Sequence, residues 1–194
     1  MEKKSFFKSE IFKCIFVLLI ITLISGGLLA VLNDLLFVSE EETLNRAIKK
    51  IYGQEMTATV ENDESISCEG DTATINKIYA LEDGNKLYNV TGTQGYKGGT
   101  ITLWVVIKYE NDTPIKIEKV VLDTYDKQTR MGDFKSSYYN SFTEITLEDI
   151  ENGRIFTTDS KNTTDIKNVV AGATITSNAA CNAINGIILY VWGK

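Results

Sequence analysis

The chain has 194 residues, is 43% hydrophobic and 24% charged, and carries a net charge of −6. The hydrophobic content suits a folded globular domain, and the acidic balance argues against nucleic acid as a partner. The absence of histidine removes imidazole acid/base catalysis and most catalytic zinc sites.

Residues 14–33, CIFVLLIITLISGGLLAVLN, hold no charged side chain and are long enough to cross a bilayer as a helix. Lys3, Lys4, Lys8 and Lys13 precede the segment and Glu40, Glu41 and Glu42 follow it. That asymmetry places the N-terminus in the cytoplasm and the rest outside. The apolar run is longer than a signal-peptide core and has no small-x-small site after it. A retained anchor is therefore preferred over a cleaved signal. The boundaries are a cytoplasmic tail over 1–13, a transmembrane helix over 14–37, a linker helix over 38–55 and one domain over 56–194.

Ser39 and Glu42 form a capping-box pattern, and Leu44, Ala47, Ile48 and Ile51 recur at helical spacing. They predict a helix over 40–52, ended by Gly53. Short β-like runs follow at 57–60, 72–79 and 86–90, with turns at Asn62-Asp63 and Asp83-Gly84-Asn85. Gly92, Gly95, Gly98 and Gly99 crowd a loop around Tyr96.

The clearest strands are 100–109 and 115–122, joined by a turn at Glu110-Asn111-Asp112-Thr113. Residues 123–133 read as a polar loop. Thr146–Ile150 reads as the start of a short helix, and 154–157 as a short strand. Residues 178–192 read as a closing helix, with Gly186 weakening its middle. The pattern is α+β: one domain on one N-terminal transmembrane helix.

Cys14, Cys68 and Cys181 lie far apart. Three unpaired thiols is the favoured reading, and a Cys68–Cys181 disulfide is the alternative. Asp123 and Asp126 read as solvated loop residues in preference to metal ligands.

The stretch Val169-Val170-Ala171-Gly172-Ala173-Thr174-Ile175-Thr176-Ser177-Asn178 is built of small and hydroxylated residues just before the closing helix. A helix N-terminus offers free N–H groups to a phosphate. No lysine or arginine lies between Val169 and Lys194. By composition alone the stretch is an ordinary loop with a Ser or Thr cap.

Ala171 to Ser177 resembles the (Ser/Thr)-Gly-Ala-Thr-x-Thr motif of covalent FMN-binding domains. These occur in the G subunit of the Rnf electron-transport complex and the C subunit of the sodium-translocating NADH:quinone reductase. Gly172, Ala173, Thr174 and Ser177 match the motif. Ala171 stands where the family has Ser or Thr, and Asn168 where it often has aspartate. The layout of tail, single membrane helix and one domain is similar too, as is Gly95-Tyr96-Lys97-Gly98 followed by the central strands. Where the family has Glu-Thr-Pro-Gly-Leu-Gly, this chain has Lys127-Gln128-Thr129-Arg130-Met131-Gly132.

The resemblance implies FMN joined through its phosphate to Thr176. Gly172, Ala173, Thr174, Ser177, Thr129, Gly132 and Tyr96 would contact the flavin. As aromatics, Tyr96, Trp104, Tyr125 and Tyr139 could stack on its ring, but for any one of them an ordinary core or surface aromatic is the favoured reading. It implies an electron-transfer subunit of an Rnf-type ferredoxin:NAD oxidoreductase coupled to Na⁺ or H⁺ transport. Its partners would be the other membrane subunits, the lipid bilayer, and an FAD:protein FMN transferase for maturation. The alternatives are a free-standing anchored flavoprotein and a flavin-free binding domain.

Overall fold

The computed structural model describes residues 10–36 and 39–193. Lys3, Lys4 and Lys8, and with them most of the expected tail, lie outside the described residues, as do Phe37 and Val38. The chain divides into two units at Thr43/Leu44.

In the first unit, α1 runs over Glu10–Leu36. Its apolar window Phe12–Asn33 has 22 residues, none of it buried in the protein. At 1.5 Å per residue that window spans about 33 Å, enough to cross a bilayer. Side chains such as Leu18, Leu23 and Leu29 are exposed all round it.

The next helix, α2, occupies Glu40–Tyr52, the span its capping signal predicts. Ser39 Oγ accepts the N–H of Glu42 at 3.1 Å. Three glutamates sit in its first turn and Lys49 and Lys50 in its last, which suits the helix dipole.

The second unit is built on a sheet of β1 (Ala58–Asn62), β2 (Ile66–Ser67), β3 (Ala73–Leu81), β4 (Lys86–Gly92), β5 (Thr100–Glu110) and β6 (Thr113–Asp126). The order is β1-β3-β4-β5-β6, with β2 also pairing β3, and every pairing in this sheet is antiparallel. The β5–β6 hairpin turns on Asn111 and Asp112, at φ 50° and 61°. These are residue types that tolerate the left-handed region a tight hairpin demands. Strand β6 runs on to Asp126, so Asp123, Thr124 and Tyr125 are strand and not loop. Thr102 pairs Thr124 and Ile101 pairs Tyr125.

After β6 come the short helices α3 (Ser136–Asn140) and α4 (Leu147–Glu151), then β7 (Phe156–Thr157) and β8 (Ile166–Lys167), a parallel pair. Thr146 and Asp149 form a capping box for α4. The last helix, α5, covers Thr174–Trp192. It starts four residues before the expected 178.

Both faces of the sheet are covered. Ala180, Ile184, Ile187 and Ile188 of α5 join Ile75, Val90, Leu103 and Val105 in the larger core. Leu44, Ile48 and Ile51 of α2 pack with Leu81, Leu87, Trp104 and Val106 on the opposite face. This explains the unbroken apolar run of β5, since a strand buried on both faces has no polar side to alternate with. Phe134, Tyr138, Phe142 and Phe156 extend the larger core as a chain of edge-to-face rings, 4.8 to 5.3 Å between centroids.

Two glycines set how closely α5 lies on the sheet. A Cβ at Gly92 of β4 would fall 1.9 Å from the Ala179 carbonyl oxygen. A Cβ at Gly186 of α5 would meet Ala73 Cβ at 2.5 Å and Cys68 Sγ at 3.1 Å. Gly186 is thus a contact point that costs some helix propensity and gains close packing. Gly92→Val should lift α5 from the sheet and destabilise the domain by about 1–3 kcal/mol or more. Thermal unfolding of the full chain in detergent, compared with wild type, checks this.

Candidate functional site

The motif folds as a tight turn feeding α5. Ala173 N–H donates to the Val170 carbonyl at 2.9 Å, and Gly172 takes φ +75°, which glycine adopts without strain. The N-cap is Ala173, with no side-chain cap. Ser177 closes the turn from within the helix: its Oγ accepts the Val170 N–H at 3.0 Å and donates to the Ala173 carbonyl at 3.0 Å. Ser177 is wholly buried and its hydroxyl holds the turn together.

Among the described residues, the N–H groups of Thr174, Ile175 and Thr176 find no protein acceptor. They are the donors that the first turn of a helix leaves free.

These groups open onto a cavity of about 310 Å³, lined by Tyr96, Thr129, Gly172, Ala173, Thr174, Ile175 and Thr176. Its size falls at the lower end of small-molecule sites, roughly 300–1,000 Å³. Three separate segments therefore meet: the glycine loop through Tyr96, the 127–132 loop through Thr129, and the motif. Thr176 is 1% exposed. No protein group hydrogen-bonds its hydroxyl among the described residues. Thr174 is exposed, and Ile175 is 55% exposed.

Other candidate residues lie elsewhere. Ser177 is off the cavity lining, for the reason given. Gly132 sits in an exposed 3₁₀ turn, Met131–Asp133, and does not line the cavity either. Trp104 is on the opposite sheet face, under α2. Tyr139 lines a different cavity, of about 230 Å³, with Phe134 and Leu122. Tyr125 is exposed on β6. Asp123 accepts a hydrogen bond from Asn89 Nδ2 at 3.1 Å, and no metal-type cluster occurs among the described residues.

The structure also brings in residues the sequence reading passed over. Gln128 docks the two loops: its Oε1 accepts the Tyr96 N–H at 3.0 Å, and its Nε2 donates to the Asp126 carbonyl at 3.0 Å. Gly95 is small because Gln128 Nε2 would stand 2.4 Å from a Cβ there. Asn178 and Asn182, one turn apart on α5, donate to the Gln94 and Thr93 carbonyls at 3.4 and 3.0 Å. Their i, i+4 spacing was the available signal. Arg130 lies against Gly172, its Nη1 2.6 Å from where a Cβ would be.

Cys68 and Cys181 are both free and buried. Cys181 Sγ donates to the Asn168 carbonyl at 3.4 Å, while Asn168 Nδ2 is buried without a partner. Burial pushes the Cys181 thiol from 9.0 up to about 12. Burial likewise raises Cys68, and it raises the Tyr138 phenol, which donates to the Ser177 carbonyl at 3.4 Å.

Compared with family models, curated proteins and solved structures, the chain matches none.

Two outcomes follow for the thiols. Cys68 and Cys181 should resist alkylation at pH 8 until the chain is denatured, because thiol and not thiolate is present and access is closed. Stability should fall as pH rises from about 9 toward about 12, since the unfolded Cys181 thiol ionises first and the folded one is held neutral. Mass-resolved alkylation and alkaline unfolding curves measure these.

Proposed function

We propose that residues 56–194 form an extracytoplasmic FMN-binding domain anchored by α1, and that FMN is joined through its phosphate to Thr176. In this reading the chain is an electron-relay subunit of an Rnf-type complex. Two things support it: the resemblance of residues 171–177 to the covalent-FMN motif, and the chemistry of the cavity that motif lines. The observation that carries it is Thr176. Thr176 is 1% exposed, its hydroxyl has no partner among the described residues, and it lines a cavity at a helix N-terminus.

The residues fit the group. The three free N–H groups of α5 face a phosphate ester with favourable dipole. Ala173 presents only a methyl group there, and the Arg130 guanidinium covers Gly172. Tyr96 and the exposed Ile175 offer flat and apolar surface for a ring system. Thr129 and Thr174 add hydroxyls. Bound there, the flavin would supply one- and two-electron chemistry that no side chain of this chain can provide. The protein's part is to hold, orient and shield.

Thr176 Oγ would be the acceptor in attachment: a bond from it to the flavin-side phosphorus of FAD would replace that phosphorus's bond to the AMP half, with AMP as the leaving group and the hydroxyl proton released to the transferase. The basic residues before α1 and the glutamates after it support a cytoplasmic N-terminus and an outside domain. The test is intact mass and peptide mapping of the chain co-expressed with an FAD:protein FMN transferase. Wild type and Thr174→Val should carry the FMN adduct and Thr176→Val should carry none. An adduct that survives Thr176→Val sinks the assignment.

A further inference from the structure

The motif supplies no cation, yet one reaches it from another loop. Arg130 takes φ +59°, a left-handed conformation costly for a side chain of its size. That backbone aims its side chain across Gly172, where Nη1 stands 2.6 Å from the position a Cβ would fill. Gly172 and Thr129 line the cavity; Arg130 is outside its lining and reaches its edge, where the guanidinium lies over Gly172. Among the described residues, only Nε of the guanidinium is engaged, donating to Asp133 Oδ2 at 2.7 Å. Both terminal nitrogens remain available as donors among the described residues. Of the lysines nearby, Lys127 pairs with Asp126 at 3.4 Å, and Lys97 sits 5.5 Å from the Tyr96 ring centroid.

We propose that Arg130 is the anion-binding arm of this cavity, closing on a phosphate ester held by the free N–H groups at the start of α5. The inference rests on the reading of the cavity as a phosphate-ester site, and it extends that reading to a residue outside the motif. Thr176 is 1% exposed and its hydroxyl makes no hydrogen bond among the described residues; in this reading the ester ends there. A guanidinium presents two parallel N–H donors to phosphate oxygens, a geometry a lysine cannot reproduce. Asp133 steadies the arm through Nε and leaves the terminal fork for the ligand.

The probe is inorganic phosphate, titrated by ³¹P line width into the flavin-free full chain in detergent. Arg130→Gln should weaken phosphate binding about tenfold, the size expected for a charge-assisted hydrogen bond. Arg130→Lys should retain part of the affinity. Asp133→Asn removes a competing negative charge and should tighten binding. A merely structural Arg130–Asp133 pair predicts instead that both partners' variants weaken binding alike. That result, or phosphate binding unchanged in Arg130→Gln, overturns the proposal. If Arg130→Gln fails to fold, Arg130→Lys against Asp133→Asn decides by the same signs. The FMN adduct is scored separately by mass. An adduct on Thr176 with phosphate binding indifferent to Arg130 overturns the arm alone. Arg130-dependent phosphate binding without an adduct overturns the flavin reading and keeps the arm.

Discussion

The close crossing of α5 over the sheet is the constraint on which the other features depend. At Gly92 the backbone of β4 nearly touches the helix backbone, and at Gly186 the helix nearly touches Ala73 and Cys68. With no side chain at either point, nothing holds the helix off the sheet, and Ile184, Ile187 and Ile188 reach full burial in the core. Each such side chain contributes about 1.5–3 kcal/mol when buried. Fixing the axis also fixes the helix start. Asn178 and Asn182 then tie its first turns to the carbonyls of Gln94 and Thr93, where the glycine loop begins. A cavity wall is thereby set by backbone contacts, which side-chain rotamers cannot relax.

Helix geometry then divides the hydroxyls of the motif. Thr174 and Thr176 are two residues apart, about 200° around the axis. Both line the cavity, but they stand at different depths in it. Thr174 is exposed, Thr176 is at the cavity lining with 1% exposure, and Ser177 turns inward to close the Val170–Ala173 turn. Three similar side chains in four positions therefore hold three different environments. Among the described residues, Thr176 is the one of the three that is buried and has no hydrogen bond to its hydroxyl.

The α2 helix was legible because its signals are local: a cap, a first turn of glutamates and an apolar stripe at helical spacing. The central strands were legible by β-branched and aromatic content. The early start of α5 was not, because threonine is a poor helix former whose appearance in a small-residue run reads as loop. Its helical state comes from packing. The end of β6 was hidden for a similar reason: Asp123 to Asp126 are polar and outward-facing, and only pairing with β5 makes them strand. Trp104 could not be assigned a face, since β5 is covered on both sides and loses the alternation that would reveal one. Within the site, the motif and Tyr96 were readable from contiguous residues. Gln128 and Arg130 were not, because their roles depend on contacts with glycines 29 to 42 positions away.

Electrostatics sets the division of labour in the proposed site. The chain is acidic overall, and the motif itself carries no charge. A helix N-terminus stabilises an exposed anion by only about 0.3–1 kcal/mol. Arg130 adds a cation, but Asp133 lies 2.7 Å from its Nε and cancels part of the field. Exposure of both side chains, at 54% and 46%, weakens the pair and the arm alike through solvent screening. Donors and dipole are therefore well suited to orienting a phosphate ester and poorly suited to retaining one that is free to leave. In the proposed reading, retention falls to the covalent bond at Thr176, and the charged arm and free N–H groups set the angle at which the ligand stands.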